Sequence, residues 1–216
     1  MEKYKKTDEV GALLKKFDAI SVRDANSGAI VEQLTGKEPL YNLDPVLTYD
    51  YMNCCDKIPQ VQNEKYLILY AYAGRISNEE ADWISDYAKK KKLKVYAIGG
   101  IQKCADRFVD CSPFEVLAYF RNAEEVITDT FHGSIFSVIT HRPFTTLIRK
   151  SVGNSYGNEE KLSDLLERLD LADRMTAKVE DAENINEETI DYAKVDELLK
   201  AHREVAKEYL RKNLEG

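Results

Sequence analysis

The run Tyr66-Leu67-Ile68-Leu69-Tyr70-Ala71-Tyr72 constrains this chain more than any other segment. It shows no alternation of polar and apolar residues, so it does not suit a sheet with one wet face. It is expected as a central parallel strand covered on both faces. Parallel neighbours need crossover connections, usually helices, and the flanking sequence supplies them. Phe17 to Val22 reads as a short buried strand ending at Arg23-Asp24, and Asn26 to Leu34 as a helix stopped by Gly36. Leu40–Leu43 and Val46-Leu47 read as extended around Asp44-Pro45.

After the central strand, Ser77-Asn78-Glu79-Glu80 is a capping box opening a helix to about Lys92. The lysines 89–92 suit the negative pole of that helix, a better account than a nucleic-acid patch. Leu93 to Ile98 is a strand followed by Gly99-Gly100, and Ser112-Pro113-Phe114-Glu115 is a second capping box. Val126-Ile127-Thr128 is a strand, Asp129 to Gly133 a turn, Ser134 to Thr140 a helix, and Phe144 to Ile148 a strand. Lys161 to Leu169 is a leucine-faced helix. Asn186 to Leu214 is a long charged helix with a break near Tyr192, its stripe of Val195, Leu198, Val205 and Tyr209 packing back rather than forming a coiled coil. The expected fold class is α/β: a Rossmann-like, mostly parallel sheet flanked by helices, with 1–216 a single domain and 186–214 a C-terminal helical extension.

Composition narrows the function. With 44% hydrophobic residues among 216, the chain is expected to fold as one globular domain. A net charge of −7 disfavours nucleic acid as partner. No apolar run is long enough for a membrane span, and the start carries no signal sequence, so a cytoplasmic location is expected. Cys54, Cys55, Cys104 and Cys111 contain no C-x-x-C pair, and with only His132, His141 and His202 beside them no metal site is expected. The G-x-G-x-x-G and G-x-x-x-x-G-K-[ST] fingerprints are absent, and no cofactor is expected.

Open α/β sheets bind ligands at the carboxyl ends of their strands. Arg23 and His132 fall at such ends, and Arg149-Lys150 ends the last strand of the series. The amides of Gly133, Ser134 and Ile135 are expected to open a helix and face an anion, with hydroxyls from Thr130 and Ser134 beside them. Gly133 would let a ligand approach the backbone closely. The plainer alternatives are a structural His132, an Asp129 that only caps the turn, and an Arg23 paired with Asp24 or Asp44.

Ile20-Ser21-Val22-Arg23-Asp24, then Leu43-Asp44-Pro45-Val46, then Thr128-Asp129-Thr130-Phe131-His132-Gly133-Ser134-Ile135-Phe136-Ser137 resemble the polysaccharide pyruvyl transferase family in kind and order. Arg142-Pro143-Phe144 and Ile190-Asp191-Tyr192 look like its landmarks as well, so the resemblance runs from about Phe17 to Leu210. It implies the C-terminal lobe of a two-lobed fold similar to GT-B glycosyltransferases, with the N-terminal lobe absent from this chain. The implied reaction moves pyruvate from phosphoenolpyruvate onto two hydroxyls of a saccharide acceptor in exopolysaccharide biosynthesis, giving a ketal and phosphate. The isolated lobe is then expected to be inactive, the missing lobe being its partner.

The family resemblance assigns catalysis to His132 and substrate binding to Arg23. Thr130, Gly133, Ser134 and Arg149 extend the substrate site on physical grounds. Two departures stand out: Thr130 occupies a place where some members have arginine, and Asn154-Ser155 is followed by Tyr156-Gly157 where many have arginine. The alternatives are a GT-B-like nucleotide-sugar glycosyltransferase lobe, with Glu115 as its ribose-binding carboxylate, and a non-catalytic interaction domain.

Overall fold

The computed structural model describes residues 5–61, 64–150 and 157–214. The chain divides into two compact units, one of residues up to Tyr49 with those from Ala193 onward, the other Asp50–Tyr192. In chain order the first unit holds α1 (Thr7–Leu14), β1 (Ser21–Val22), α2 (Ala25–Thr35), β2 (Leu40–Tyr41) and α3 (Pro45–Thr48). The second holds α4 (Tyr51–Cys54), β3 (Tyr66–Tyr70), α5 (Asn78–Lys91), β4 (Lys94–Ile98), β5 (Arg107–Phe108), α6 (Pro113–Asn122), β6 (Glu125–Thr128) and α7 (Phe131–Ile139). It continues through β7 (Phe144–Leu147), α8 (Glu159–Arg168), β8 (Met175–Thr176) and α9 (Ala182–Glu187). The long α10 (Tyr192–Leu214) returns the chain to the first unit.

In the first unit β1 and β2 pair in parallel, Ser21 opposite Leu40 and Val22 opposite Tyr41. Asp24 caps α2 by accepting the Ser27 N–H at 2.8 Å, and Gly36 ends it at φ +71°, as read from the sequence. Strand β1 is shorter than the expected Phe17–Val22, because Phe17 is surface-exposed. Val46 and Leu47 are helical, not extended. Asp44 accepts the Val46 N–H at 3.0 Å and Pro45 takes the first helical position, so the pair starts a helix. Arg203 of α10 donates from Nε to the Leu47 carbonyl at 2.8 Å, tying α10 to the end of α3. The buried face of α10 is Val195, Leu199 and Ala206, while Val205, expected on that stripe, is exposed.

The second unit is a six-stranded parallel sheet in the order β5-β4-β3-β6-β7-β8. Registers place Ile68 beside Tyr96 on one side and Val126 on the other, and Val126 in turn beside Phe144. Residues 66–69 are all buried, as the apolar run demands. Alternate residues serve different layers. Leu67 and Leu69 join Ile84 and Tyr87 of α5 and Ala182 of α9 in one core layer. On the other face the Tyr66 ring stacks on Tyr96 at 4.3 Å, and Tyr70 meets Phe120 of α6 and Phe136 of α7 at 6.1 and 6.3 Å.

Both capping boxes form as read, from Ser77 to Glu80 and from Ser112 to Glu115. The break expected near Tyr192 is present: the short α9 ends at Glu187 and the long helix begins at Tyr192. Arg174, fully buried, donates to the carbonyls of Ile185 at 2.6 Å and Glu188 at 3.2 Å, which satisfies the last acceptors of α9 and ends it. The Tyr192 hydroxyl donates to the Arg142 carbonyl at 2.6 Å, and its ring stacks on His141 at 4.3 Å, anchoring the start of α10. Among the described residues no helix is long and apolar enough to cross a membrane, and the four cysteines are unbridged.

The aromatic layer makes the sheet's second face dependent on Phe120, which has no exposed surface and packs on both Tyr70 and Phe136. Phe120→Ala is expected to lower unfolding free energy in urea by about 3–5 kcal/mol. An unchanged denaturation midpoint would show that this layer contributes little.

Candidate functional site

Strand order fixes where a ligand would meet this sheet. The chain leaves β3 for β4 on one side, and leaves β6 for β7 on the other. The connections leaving the paired strands β3 and β6 therefore run to opposite sides at their carboxyl ends, the switch point at which open α/β sheets hold ligands. Arg75 follows β3, Asp129 follows β6, and Arg149 follows the next strand, β7.

The junction from β6 to α7 is held by hydroxyls. The Thr128 hydroxyl donates to the Tyr70 carbonyl at 2.7 Å, accepts the Thr130 N–H at 3.0 Å and lies 3.0 Å from the Thr130 hydroxyl. Thr130 is the N-cap of α7, accepting the Gly133 N–H at 2.9 Å. The helix thus starts at Phe131, three residues before the expected Ser134, because Thr130 is a good capping residue. Consequently the Gly133 amide is not open to a ligand, and the Ser134 amide donates to the Thr130 carbonyl at 3.3 Å. Ser134 Oγ lies 2.8 Å from Thr146 Oγ1 of β7. Gly133 serves packing rather than ligand approach: a Cβ there would stand 2.0 Å from Thr128 Oγ1. The anion cradle expected from Thr130, Gly133, Ser134 and Ile135 is therefore an internal hydrogen-bond network of buried groups.

His132, second residue of α7, is partly exposed. Its ring lies edge-on to Phe131 at 5.8 Å and 6.0 Å from Phe136. Among the described residues neither ring nitrogen has a hydrogen-bond partner, so both remain available for proton transfer.

Beside this junction sits a cluster of charges. Asp129 is fully buried, and neither carboxylate oxygen has a hydrogen-bond donor from another described residue. Arg75 Nη1 lies 4.0 Å from Asp129 Oδ2, its guanidinium stacked on the Tyr72 ring at 4.5 Å. Arg149 donates from Nη1 to Glu80 Oε1 at 2.7 Å, while its Nε and Nη2 are buried and without acceptors among the described residues. Glu80 does two things at once, since its other oxygen accepts the Ser77 N–H at 2.8 Å to close the capping box of α5. Asn158, N-cap of α8, accepts the Arg149 N–H at 2.6 Å and donates to the Asp129 carbonyl at 2.7 Å and the Leu147 carbonyl at 3.2 Å. It pins the ends of β6 and β7 together. Burial raises the Asp129 carboxyl to about 6 against the opposing pull of Arg75 and Arg149, with Glu80 adding to the rise.

Of the residues expected to form the site, His132, Thr130, Gly133, Ser134 and Arg149 belong to the Asp50–Tyr192 unit, and Arg23 belongs to the other. Arg23 donates to Asp44 Oδ2 at 2.5 Å and lines a cavity of about 470 Å³ with Ser21, Ser27 and Asn42. Glu115 is engaged in its capping box, accepting the Ser112 N–H at 2.8 Å, so it offers no ready ribose contact. Asn154-Ser155-Tyr156 lies outside the described residues. Among the described residues no cluster of His, Cys, Asp or Glu could hold a metal. Sequence reasoning missed Arg75, Glu80 and Asn158, and treated Asp129 only as a cap. Applying the strand-end rule to β3 as well as β6 would have found Arg75 just past Tyr72.

The buried carboxyl makes a stability prediction. Folding raises its pKa above the unfolded carboxylate range, so the folded state holds the proton more tightly. Stability therefore falls as pH rises from roughly 4 to 6, and the full penalty remains at pH 7. Asp129→Asn is expected to stabilise the protein at pH 7.5 by on the order of 2 kcal/mol and to give no gain at pH 4 in chemical denaturation. Destabilisation at pH 7.5 would instead make the ionised carboxylate a net structural asset.

Comparison with solved structures finds six chains that match, among them two transferases. An O-GlcNAc transferase mutant (K341M) from Thermobaculum terrenum is 12% identical with a TM-score of 0.47, over 88% of this chain and 41% of that one. The glycotransferase of kitacinnamycin is also 12% identical, with a TM-score of 0.46, over 74% of this chain and 46% of that one. This chain thus spans less than half the length of either. No curated protein matches. The sequence does match the family described as polysaccharide pyruvyl transferase over residues 3–151, a stretch with both the Arg23 and His132 motifs but not Ile190-Asp191-Tyr192. The match covers more than half of the chain, and the chain belongs to the polysaccharide pyruvyl transferase family.

Proposed function

We propose that the protein transfers pyruvate from phosphoenolpyruvate to two hydroxyls of a saccharide, forming a cyclic ketal and releasing phosphate. The observation that carries this reading is the family motif from Thr128 to Ser137, with His132 partly exposed at the start of α7 and both ring nitrogens unengaged among the described residues. The chemistry needs an acid that works near neutral pH. Protonation of the methylene carbon of phosphoenolpyruvate leaves an oxocarbenium-like centre at the adjacent carbon, which a sugar hydroxyl attacks while losing its own proton. Loss of phosphate regenerates that centre, and the second hydroxyl closes the ring as its proton passes to the departing phosphate. His132 is assigned the proton donated to carbon and the one taken from the hydroxyl.

Fixed positive charge must hold the phosphate and the pyruvyl carboxylate. Arg149 is assigned to this role in its unit, and Arg23 keeps the substrate-binding role its motif suggests. Thr130, Gly133 and Ser134 are assigned to shaping the turn that carries His132, since their polar groups are engaged internally. The reading includes a cytoplasmic location and a part in exopolysaccharide synthesis, the acceptor being a saccharide precursor.

With the full-length protein, phosphoenolpyruvate and a saccharide acceptor, His132→Ala is expected to cut phosphate release by on the order of 10²-fold or more. Release unchanged by the substitution would remove His132 from the mechanism. Calorimetric titration separates the competing enzyme class: heat is expected with phosphoenolpyruvate and none with nucleotide sugars. The reverse pattern would favour glycosyl transfer.

A further inference from the structure

The Asp129 carboxylate is an anomaly that pyruvyl transfer does not explain. Buried carboxylates ordinarily collect two or three hydrogen bonds, and an unpartnered one points to a missing partner or a function. Here both oxygens lie in the protein interior with no donor from another described residue, facing Arg75 at 4.0 Å rather than gripping it. Arg149, across the ends of β6 and β7, is half engaged: Glu80 takes Nη1, and Nε and Nη2 have no acceptor among the described residues. Both arginine side chains keep roughly a quarter of their surface open to solvent (25% and 22%), while Arg75 Nη1 and Arg149 Nε and Nη2 face the interior.

We infer that Arg75 and Arg149 form a site for a doubly charged oxyanion of the phosphate class, and that binding there is coupled to protonation of Asp129. The charges explain the coupling. Arg75 contributes from the loop after β3, Arg149 from the end of β7, Glu80 from the first turn of α5, and Asn158 at the start of α8 is neutral. With both carboxylates ionised the cluster is neutral. One proton taken from solvent onto Asp129 leaves it with one net positive charge, no other bond being made or broken. A dianion favours the charged state, and by linkage the bound dianion draws the proton in. Guanidinium groups suit such a ligand, because their donors pair with oxyanions two at a time. The elevated Asp129 carboxyl, near 6, puts the event within reach of neutral pH. The inference rests on the pyruvyl-transfer reading only for the natural ligand, the phosphorylated end of the donor.

Sulfate is the suitable probe, since it stays a dianion between pH 5 and 8 while phosphate does not. Calorimetry on the full-length protein is expected to show sulfate binding roughly tenfold or more tighter at pH 5.5 than at pH 8, a change of one charge in a partly buried site. Near pH 6, runs in two buffers of different ionisation heat should reveal proton uptake on binding. Asp129→Asn is expected to bind at both pH values as the unaltered protein does at pH 5.5, and Arg75→Gln and Arg149→Gln each to lose about tenfold or more. Equal affinity at both pH values, no proton uptake, pH dependence that survives Asp129→Asn, undiminished binding by the arginine variants, or no sulfate binding at all would overturn the inference. Turnover of phosphoenolpyruvate in the same preparations separates the two readings. Turnover without a proton-linked sulfate site overturns this inference alone, and such a site without turnover overturns the pyruvyl-transfer reading alone.

Discussion

Parallel strands covered on both faces leave polar chemistry nowhere to go but their ends. In the Asp50–Tyr192 unit, β3 is buried by an aliphatic layer on one side and an aromatic layer on the other, and β6 and β7 beside it are buried at every position. Strands β3 and β6 are paired on both sides, so their backbone donors and acceptors are largely taken by the ladder. The first free groups appear where the strands stop. Because β3 and β6 send their connections in opposite directions, the loops that follow the two paired ends part from each other there. Arg75, Asp129 and His132 all lie within five residues of those two ends.

The same edge must also be rigid, and hydroxyl groups make it so. Thr128, Thr130, Ser134 and Thr146 link β6, α7 and β7 in buried contacts of 2.8–3.3 Å, and Gly133 gives Thr128 the room to enter. Sequence-level reasoning sees these small polar residues as ligand donors because they precede a helix and lack bulk. Their actual work is to set the angle at which α7 leaves the sheet, and with it the position of His132. The longer side chains beside them, Arg75, Asp129 and Arg149, have incompletely matched charges, a character that poised binding sites share.

Most of the architecture was legible because it rests on local rules. The apolar run 66–72 marked the central strand, both Ser-x-x-Glu boxes marked helix starts, and Gly36 marked a helix end. What failed depended on contacts distant in sequence. Strands β5 and β8 are two residues long and exist only through pairing with β4 and β7. The end of α9 is set by Arg174, whose burial no periodicity signals. In the site, His132 and Arg149 were found because strand ends were searched after β6 and β7. Arg75 lies past a turn at Gly74 (φ +79°), and its proximity to Asp129 follows from the β3–β6 pairing, which the sequence does not state. Asn158 was invisible for the same reason, its partners lying 9, 11 and 29 residues away.

The central claim is that the carboxyl ends of β3, β6 and β7 hold a phosphorylated acid. Amide chemical-shift mapping tests it most directly, by adding phosphoenolpyruvate to isotopically labelled protein and following every backbone resonance. The account predicts that the largest changes cluster at Arg75, Asp129 to His132, and Arg149. Changes confined to the amino ends of those strands, near Tyr66, Glu125 and Phe144, would contradict it.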